Sequence, residues 1–347
     1  MASQKVVPPS KAAQSTCRGV KAPDNLLYAV VISRHAQRTP ILPCQKLPKK
    51  VPEGYGQLTK QGHEQAYKLG AFLRTRYRDF LAADKPGQLL ATHVRLDRCR
   101  DSINDTLKGL GVAVTPDLDP TRYDLLFQSS LSDNFDAVLH EPARGDFPTM
   151  GHLLAFVGEK TGAPTQEKSH KYLALDSLMT HTLNDNPVPS WAEPFWDDLV
   201  WADRRIFELA LSGHELSFAA SVLGKTLETF SLKFEKAVQR PDKMHVFSMS
   251  DTSLFSVLKL FNQSYDGRPV LLRQHLLRAL QGEVQQLRPG SPLYGGKSPL
   301  CDFGEAGEPV PAQRVPAVLA QYAQEELDTR SERIREKNCP MHASRIT

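Results

Sequence analysis

Cysteine is scarce in this chain of 347 residues. Its five cysteines, Cys17, Cys44, Cys99, Cys301 and Cys339, are widely spaced and odd in number, and no two form a C-x-x-C pair. That spacing argues against zinc and allows at most two disulfides, whose pairing stays open. Long apolar runs are missing as well. None approaches the roughly 20 residues that cross a bilayer, so no membrane partner is expected. Charge of one sign is not in excess either: 43 basic and 39 acidic residues leave a net charge of +4. No basic tract stands out, and nucleic acid is not an expected partner. Residues 1–26 are polar, rich in Lys, Pro, Ser and Gln, and lack the apolar core and small-residue cleavage site of a secretory signal. Either the chain stays in the cytosol or the start of a longer precursor is missing. Internal repeats and low-complexity domains are absent.

What the chain does have is a concentrated reactive element. Residues 30–40 read Val-Val-Ile-Ser-Arg34-His35-Ala36-Gln37-Arg38-Thr39-Pro40. Val30, Val31 and Ile32 favour a buried strand, which places the polar residues at its carboxyl end, the edge where open α/β sheets bind ligands. Arg34 and Arg38 each offer a planar fork of donors suited to a phosphoryl group, and the imidazole between them is a candidate nucleophile. On these residues alone a solvated basic turn at a strand end is an equal reading.

The rest of the pattern alternates. Thr59 is a candidate N-cap, and Ala66, Leu69, Gly70, Leu73 and Tyr77 recur at three- and four-residue spacings, which predicts a helix over about 60–80. A strand near Gln88–Ala91 then precedes a second helical stripe of Ile103, Leu107 and Leu110. Strand, helix, strand, helix is the order of a parallel sheet. Residues 115–235 are punctuated by proline and mostly helical in pattern, which reads as an insertion. A late strand, Met244–Met249, runs into Ser250-Asp251-Thr252 at the start of a helix through Leu260. Asp251 can cap backbone amides there or act as a general acid. Leucines over 271–288 and the pattern over 313–337 predict two more helices.

These residues together resemble the histidine acid phosphatases, the two-motif branch of the histidine phosphatase superfamily, of prostatic and lysosomal type. The likeness is carried by Arg-His-x-x-Arg-Thr-Pro at 34–40 and by Gly56-Gln57-Leu58-Thr59 with Gly62, Gln65, Leu69-Gly70 and Leu73-Arg74-x-Arg76-Tyr77. It continues through Asp97-Arg98 with Ser102, Pro189-Ser190-Trp191-Ala192 and Asp251-Thr252-Ser253-Leu254. The resemblance implies an α/β fold with a phosphoglycerate mutase-like core sheet, flanking helices and a helical cap insertion. The domain would span 27–337, with the cap within 115–235, a poorly ordered segment at 1–26 and a tail at 338–347. It further implies that His35 is phosphorylated by the substrate, that Arg34 and Arg38 clamp the phosphoryl oxygens, and that Asp251 protonates the leaving alcohol. No cofactor and no metal are implied, because arginines balance the phosphate charge. A precursor would then be of secreted or lysosomal type.

Four departures from the family pattern bear on activity. Ala36 and Gln37 follow the histidine where the family has Gly and then a polar or acidic residue, and Ala36 is strained if its φ is positive. Ser250 stands where the late motif has histidine. A serine hydroxyl is shorter and neutral, and losing one preorganised donor costs about 100- to 1,000-fold in rate. His245 cannot replace it, lying about 16 Å down the strand at about 3.3 Å per residue. Counting back from Arg98, the third clamp arginine falls on Thr92, with His93 beside it; Arg95 or His93 rescues the loss only if the loop shifts register, and otherwise Arg95 faces solvent. Beyond Leu260 the family's β-hairpin is replaced by a helix-like leucine pattern.

Two functions follow as expectations. The first is hydrolysis of phosphomonoesters through a phosphohistidine at His35, weakened at Ser250 and Thr92. The second is a catalytically inactive pseudo-phosphatase that binds phosphate or a phosphorylated partner. The expected substrate is a small phosphomonoester or a phosphorylated protein. The oligomeric state is left open, a homodimer included.

Overall fold

Strand β1 (Ala29–Arg34) forms where three β-branched residues follow one another, and it pairs in parallel with β4 (Met244–Met249), in register from Ala29 opposite Met244 to Arg34 opposite Met249. The computed structural model describes residues 22, 26, 28–47, 51–82, 86–121, 134–164, 167–260 and 282–283. On its other side β4 pairs in parallel with β2 (Leu89–His93), which in turn pairs with the short β3 (Asp117–Leu118). With β5 (Gly282–Glu283) antiparallel to β1, the five-stranded order is β3-β2-β4-β1-β5. All six residues of β4 are buried, as a central strand covered on both faces must be.

Two helical layers supply that cover. On one face Ala29, Val31, Leu89, Ala91, Met244 and Val246 pack against Leu73 and Tyr77 of α1 (Lys60–Tyr77) and against Ile103, Leu107 and Leu110 of α2 (Asp97–Leu110). On the other, Phe247 and Met249 join Phe255 and Val257 of α8 (Asp251–Leu260) and Phe218 and Val222 of α7 (Glu215–Phe230). The same apolar cluster runs on into α3 (134–140), α4 (Met150–Thr161), α5 (Lys168–Leu183) and α6 (Trp196–Ala210). The helices that follow the adjacent strands β1 and β4 therefore lie on opposite faces of the sheet, which opens a crevice at the carboxyl ends of those strands.

The α/β architecture with a parallel sheet is the one the alternation of periods implies. Thr59 caps α1 by accepting from the Gly62 amide, and the helix ends at Tyr77, three residues short of the expected limit. The second strand starts one residue later than expected because Pro86–Gln88 form a 3-10 turn. The helix expected over 271–288 is corrected at Gly282–Glu283, which form a strand on β1. Backbone groups along an open strand edge need partners, and a glycine resists the helix that the leucine spacing favours. The rest of that stretch, the helix expected over 313–337, and residues 1–21 and 338–347 lie outside the described residues.

Helices α1 and α2 cross at glycines. A Cβ on Gly70 would lie 1.9 Å from the Thr106 carbonyl oxygen, and one on Gly109 would lie 2.1 Å from that of Tyr67. Thr106 Oγ1 donates across the same crossing to the Ala66 carbonyl at 3.2 Å. Gly70→Ala must push the helices apart and is expected to cost about 1–3 kcal/mol or more, the usual penalty of overpacking. Urea denaturation checks this, and a midpoint equal to that of the parent contradicts the contact.

Candidate active site

The segment 35–39 leaves β1 at the crevice, and four of its five amides are claimed by the protein. His35 donates its backbone N–H to the Met249 carbonyl at 2.9 Å, Ala36 to Ser102 Oγ at 3.0 Å, Gln37 to Gln65 Oε1 at 3.1 Å, and Thr39 to the Gln57 carbonyl at 2.9 Å. The Gln37 side chain binds both neighbours, accepting from Thr59 Oγ1 at 2.7 Å and donating to the Leu183 carbonyl at 3.2 Å. Gly62 makes the approach possible, since a Cβ there would fall 2.1 Å from the Gln37 carbonyl oxygen. Ala36 carries no strain: among the described non-glycine residues only Asp185 and Ala237 have positive φ. With the amides of His35, Ala36, Gln37 and Thr39 committed, the segment presents chiefly side chains to a ligand.

His35 is buried, and its Nδ1 lies 2.8 Å from the Ala36 carbonyl oxygen. A carbonyl only accepts, so Nδ1 carries the proton and the Nε2 lone pair is left for another partner. Nε2 is itself buried with no hydrogen-bond partner among the described residues. Burial holds the imidazole pKa well below its ordinary value, and the charges of Arg34, Arg98 and Arg38 depress it further. The ring is thus neutral in a ring of cations, with one nitrogen fixed and the other presented.

The two arginines of the motif are held differently. Arg34 lies with Nη2 3.5 Å from Asp251 Oδ2 and donates from Nη1 to the His35 carbonyl at 3.3 Å. Asp251 accepts from the Thr252 amide at Oδ1, 3.1 Å, so the carboxylate touches both the helix start and the arginine. Arg38 is 3% exposed, with Nη2 2.9 and 3.0 Å from the two oxygens of Asp176. Its Nη1 donates to Thr180 Oγ1 at 3.2 Å and to the Thr39 carbonyl at 3.1 Å. Only Nε of Arg38 has no partner among the described residues.

Asp176 and Thr180 were not among the residues singled out from the sequence. Both are buried on α5, with Ser177 and His181 beside them and apolar residues around. A lone carboxylate on a buried helical face needs a cation, and that was the available signal.

Arg98 is the other addition. It opens α2, one turn before Ser102, whose hydroxyl donates to the Arg98 carbonyl at 2.7 Å while accepting from Ala36. Its Nε is buried without a hydrogen-bond partner among the described residues, and the guanidinium borders the loop at Gly56. Burial and the neighbouring Arg38 push its pKa down. In the sequence, Asp97-Arg98 carries part of the resemblance and locates Thr92, without marking Arg98 as a site residue.

Ser250 and Thr92 find partners of their own. Ser250 caps α8: its Oγ accepts from the Ser253 amide at 3.4 Å and bonds the hydroxyls of Thr252 and Ser253. Thr92 is buried with Oγ1 2.8 Å from His245 Nε2, a ring stacked on Phe247. Arg95 is exposed, and His93 holds the Val94 carbonyl through Nδ1 at 2.8 Å. The structure therefore brings Arg34, His35, Arg38, Asp251 and Arg98 together, and turns the Thr92 hydroxyl to β4. Among the described residues no group of three or more His, Cys, Asp or Glu side chains is placed to hold a metal ion.

The chain is 41% identical over 285 residues to the prostatic acid phosphatase of Bos taurus, a match covering 72% of each chain. To the testicular acid phosphatase of Mus musculus it is 26% identical over 284 residues, covering 70% of this chain and 64% of the relative. The chain thus spans somewhat under two thirds of the length of the testicular enzymes. No family model matches it. The fold is similar to that of the Bifidobacterium longum multiple inositol polyphosphate phosphatase crystallised with inositol hexasulfate. That match has a TM-score of 0.50 at 14% identity and covers 74% of this chain and 78% of that one.

Two predictions rest on the buried groups. Asp176→Ala leaves the Arg38 charge buried and unpaired and is expected to cost about 3–5 kcal/mol in denaturant unfolding, where a loss below about 1 kcal/mol contradicts the pairing. The second concerns acid. Burial lowers His245 to about 3, and His35 is lowered too, so below pH 6.5 the unfolded chain takes up protons that the folded chain refuses. Stability is fully present above pH 6.5 and is lost as pH falls below it. Denaturation midpoints at pH 7 and pH 4.5 should fall less in His245→Gln than in the parent; an equal fall contradicts the assignment.

Proposed function

The chain belongs to the histidine acid phosphatase family, and from that premise we propose that it hydrolyses phosphomonoesters through a phosphohistidine at His35. One observation carries the reading: an imidazole kept neutral, its Nδ1 proton fixed on the Ala36 carbonyl and its Nε2 buried and unpartnered, set among guanidiniums. Nucleophilic attack needs that nitrogen's lone pair, and an ordinary histidine loses it to protonation below pH 6.5. Here the lowered pKa keeps it in acid, so the acid limb of kcat/KM falls below that value.

In this mechanism Arg34 and Arg38 spread the charge of the phosphoryl oxygens, Arg38 with Nε as its one donor that has no partner among the described residues. Nε2 attacks phosphorus, the bond from phosphorus to the ester oxygen breaks, and Asp251 passes its proton to the departing alkoxide. Water then cleaves the phosphorus–nitrogen bond and returns His35 to its neutral form. Asp176 and Thr180 act on Arg38, fixing its fork so that its orientation costs nothing when substrate arrives. Asp251 is the acid this reading assigns to the leaving proton, while Ser250 Oγ accepts from the Ser253 amide at the helix start.

A second reading, a pseudo-phosphatase that binds phosphate or a phosphorylated partner without turnover, draws on different observations. Ser250 serves as a helix cap, and Thr92 is engaged with His245, so neither supplies the charged donor the family pattern has at its position. Two independent losses would slow turnover on the order of 10,000-fold or more, although effects within one site are not additive.

Turnover of a chromogenic phosphomonoester near pH 5 separates the readings. The hydrolase reading expects slow turnover that His35→Ala abolishes, and a gain of about 100-fold or more in Ser250→His as a charged donor returns. Turnover that survives His35→Ala sinks the nucleophile assignment, and none in either the parent or Ser250→His favours the binding protein.

A further inference from the structure

We propose that Gln37 is a positioning residue, a side-chain amide that ties the helical insertion to the core and so fixes where Arg38 stands relative to His35. The proposal rests on the phosphatase reading and adds a residue which that reading does not use. Both ends of the side chain bind protein: Oε1 accepts from Thr59 Oγ1 at 2.7 Å, and Nε2 donates to the Leu183 carbonyl at 3.2 Å. The partners fix which end is which, because a backbone carbonyl only accepts and the amino group must face it. Thr59 Oγ1 itself accepts from the Gly62 amide at 3.0 Å, which leaves its proton for Gln37. The donors thus run one way, from the first turn of α1 through Gln37 to the last residue of α5.

Arg38 shows why such a tie is needed. Outside its own segment its guanidinium is held from α5, by Asp176 at Nη2 and Thr180 at Nη1, and Asn184, just past that helix, donates to the Arg38 carbonyl at 3.0 Å. If α5 shifted, those bonds would travel with it and draw Arg38 away from His35, whose backbone is set by Met249 of β4. The bond from Gln37 to Leu183 holds the same helix end without passing through Arg38. Gln37 is anchored in turn, its amide on Gln65 Oε1 at 3.1 Å and its carbonyl on the Thr59 amide at 3.0 Å. An ionised carboxylate of the same shape could accept from Thr59 but could not donate to Leu183. An amide does not titrate, so the tie is kept from acid to neutral pH. Of the titratable groups on the elements around it, Lys60, His63 and Glu64 of α1 are exposed and Asp176 is bonded to Arg38. Asp105 of α2 is bonded to His63 and Lys108, and burial pushes His181 of α5 below its ordinary value.

The test compares Gln37→Met and Gln37→Glu with the full parent chain at pH 4 and pH 7. Two quantities are read, kcat/KM on a chromogenic phosphomonoester and the calorimetric Kd for inorganic phosphate, with thermal melts at each pH as the check on folding. Gln37→Met is close in volume and makes neither bond, and it should lose about 10- to 100-fold in kcat/KM at both pH values, the cost of a small misplacement. Gln37→Glu carries its proton at pH 4, below the ordinary glutamate value of about 4.3, and its O–H can then replace the amide N–H and bring kcat/KM to within about 3-fold of the parent. Ionised at pH 7, it should fall to the level of Gln37→Met or below. A ratio of Gln37→Glu to parent that does not change with pH overturns the proposal. So does a Gln37→Met that matches the parent, which leaves any fall in Gln37→Glu to charge alone. If Gln37→Met does not fold, the pH dependence of the Gln37→Glu ratio decides. If the parent binds phosphate but turns over no ester, the hydrolase reading fails while the proposal is decided by the same ratios in the phosphate Kd. A parent that neither turns over ester nor binds phosphate overturns both.

Discussion

The parallel pairing of β1 with β4 is the constraint on which the site depends. It runs in register to Arg34 opposite Met249, and one further hydrogen bond, from the His35 amide to the Met249 carbonyl, carries it past the strand end. That bond sets His35 beside Ser250 and Asp251, residues more than 200 positions later in the chain. A one-residue slip would turn every side chain of β1 to the opposite face and send His35 away from the crevice. The slip is resisted because β4 is buried throughout and both sheet faces are packed by helices. Site geometry is thus a by-product of core packing.

Around that pairing the electrostatics are arranged in pairs with one member left over. Arg34 has Asp251, and Arg38 has Asp176 from the inserted helical segment. The second pair ties α5 to the motif and makes the insertion part of the site's construction. Arg98 has a buried Nε without a hydrogen-bond partner among the described residues and feels the charges of Asp251 and Asp176. A neutral histidine at the centre of such an arrangement is a consequence of it, since protonating the ring would add a fourth positive charge to a buried site.

Much of this was legible in the sequence. The strand ending at Arg34, the capped helix from Lys60 and the late strand before Asp251 follow from β-branched runs, a Thr cap and leucine spacing, all local signals. Arg34, His35, Arg38 and Asp251 stand out because strand ends with reactive side chains are few. Asp176, Thr180 and Arg98 are different. Their importance comes from which residue they face across the fold, and a helical stripe or a motif used as a ruler does not reveal a partner. The same holds for Ser250 and Thr92, whose hydroxyls found structural partners only the fold supplies. At Gly282–Glu283 an open strand edge overrode the leucine spacing.

The account's central claim is that Nε2 of His35 forms a bond to phosphorus, and trapping that bond tests it most directly. The chain would be mixed with a phosphomonoester labelled in its phosphoryl group, quenched in denaturant within the first turnovers, and the bound label exposed to acid or base. The account predicts label on the protein that base leaves in place and acid removes, as expected of a phosphorus–nitrogen bond, and none on His35→Ala. Label that base removes and acid spares, or that persists in His35→Ala, would contradict it.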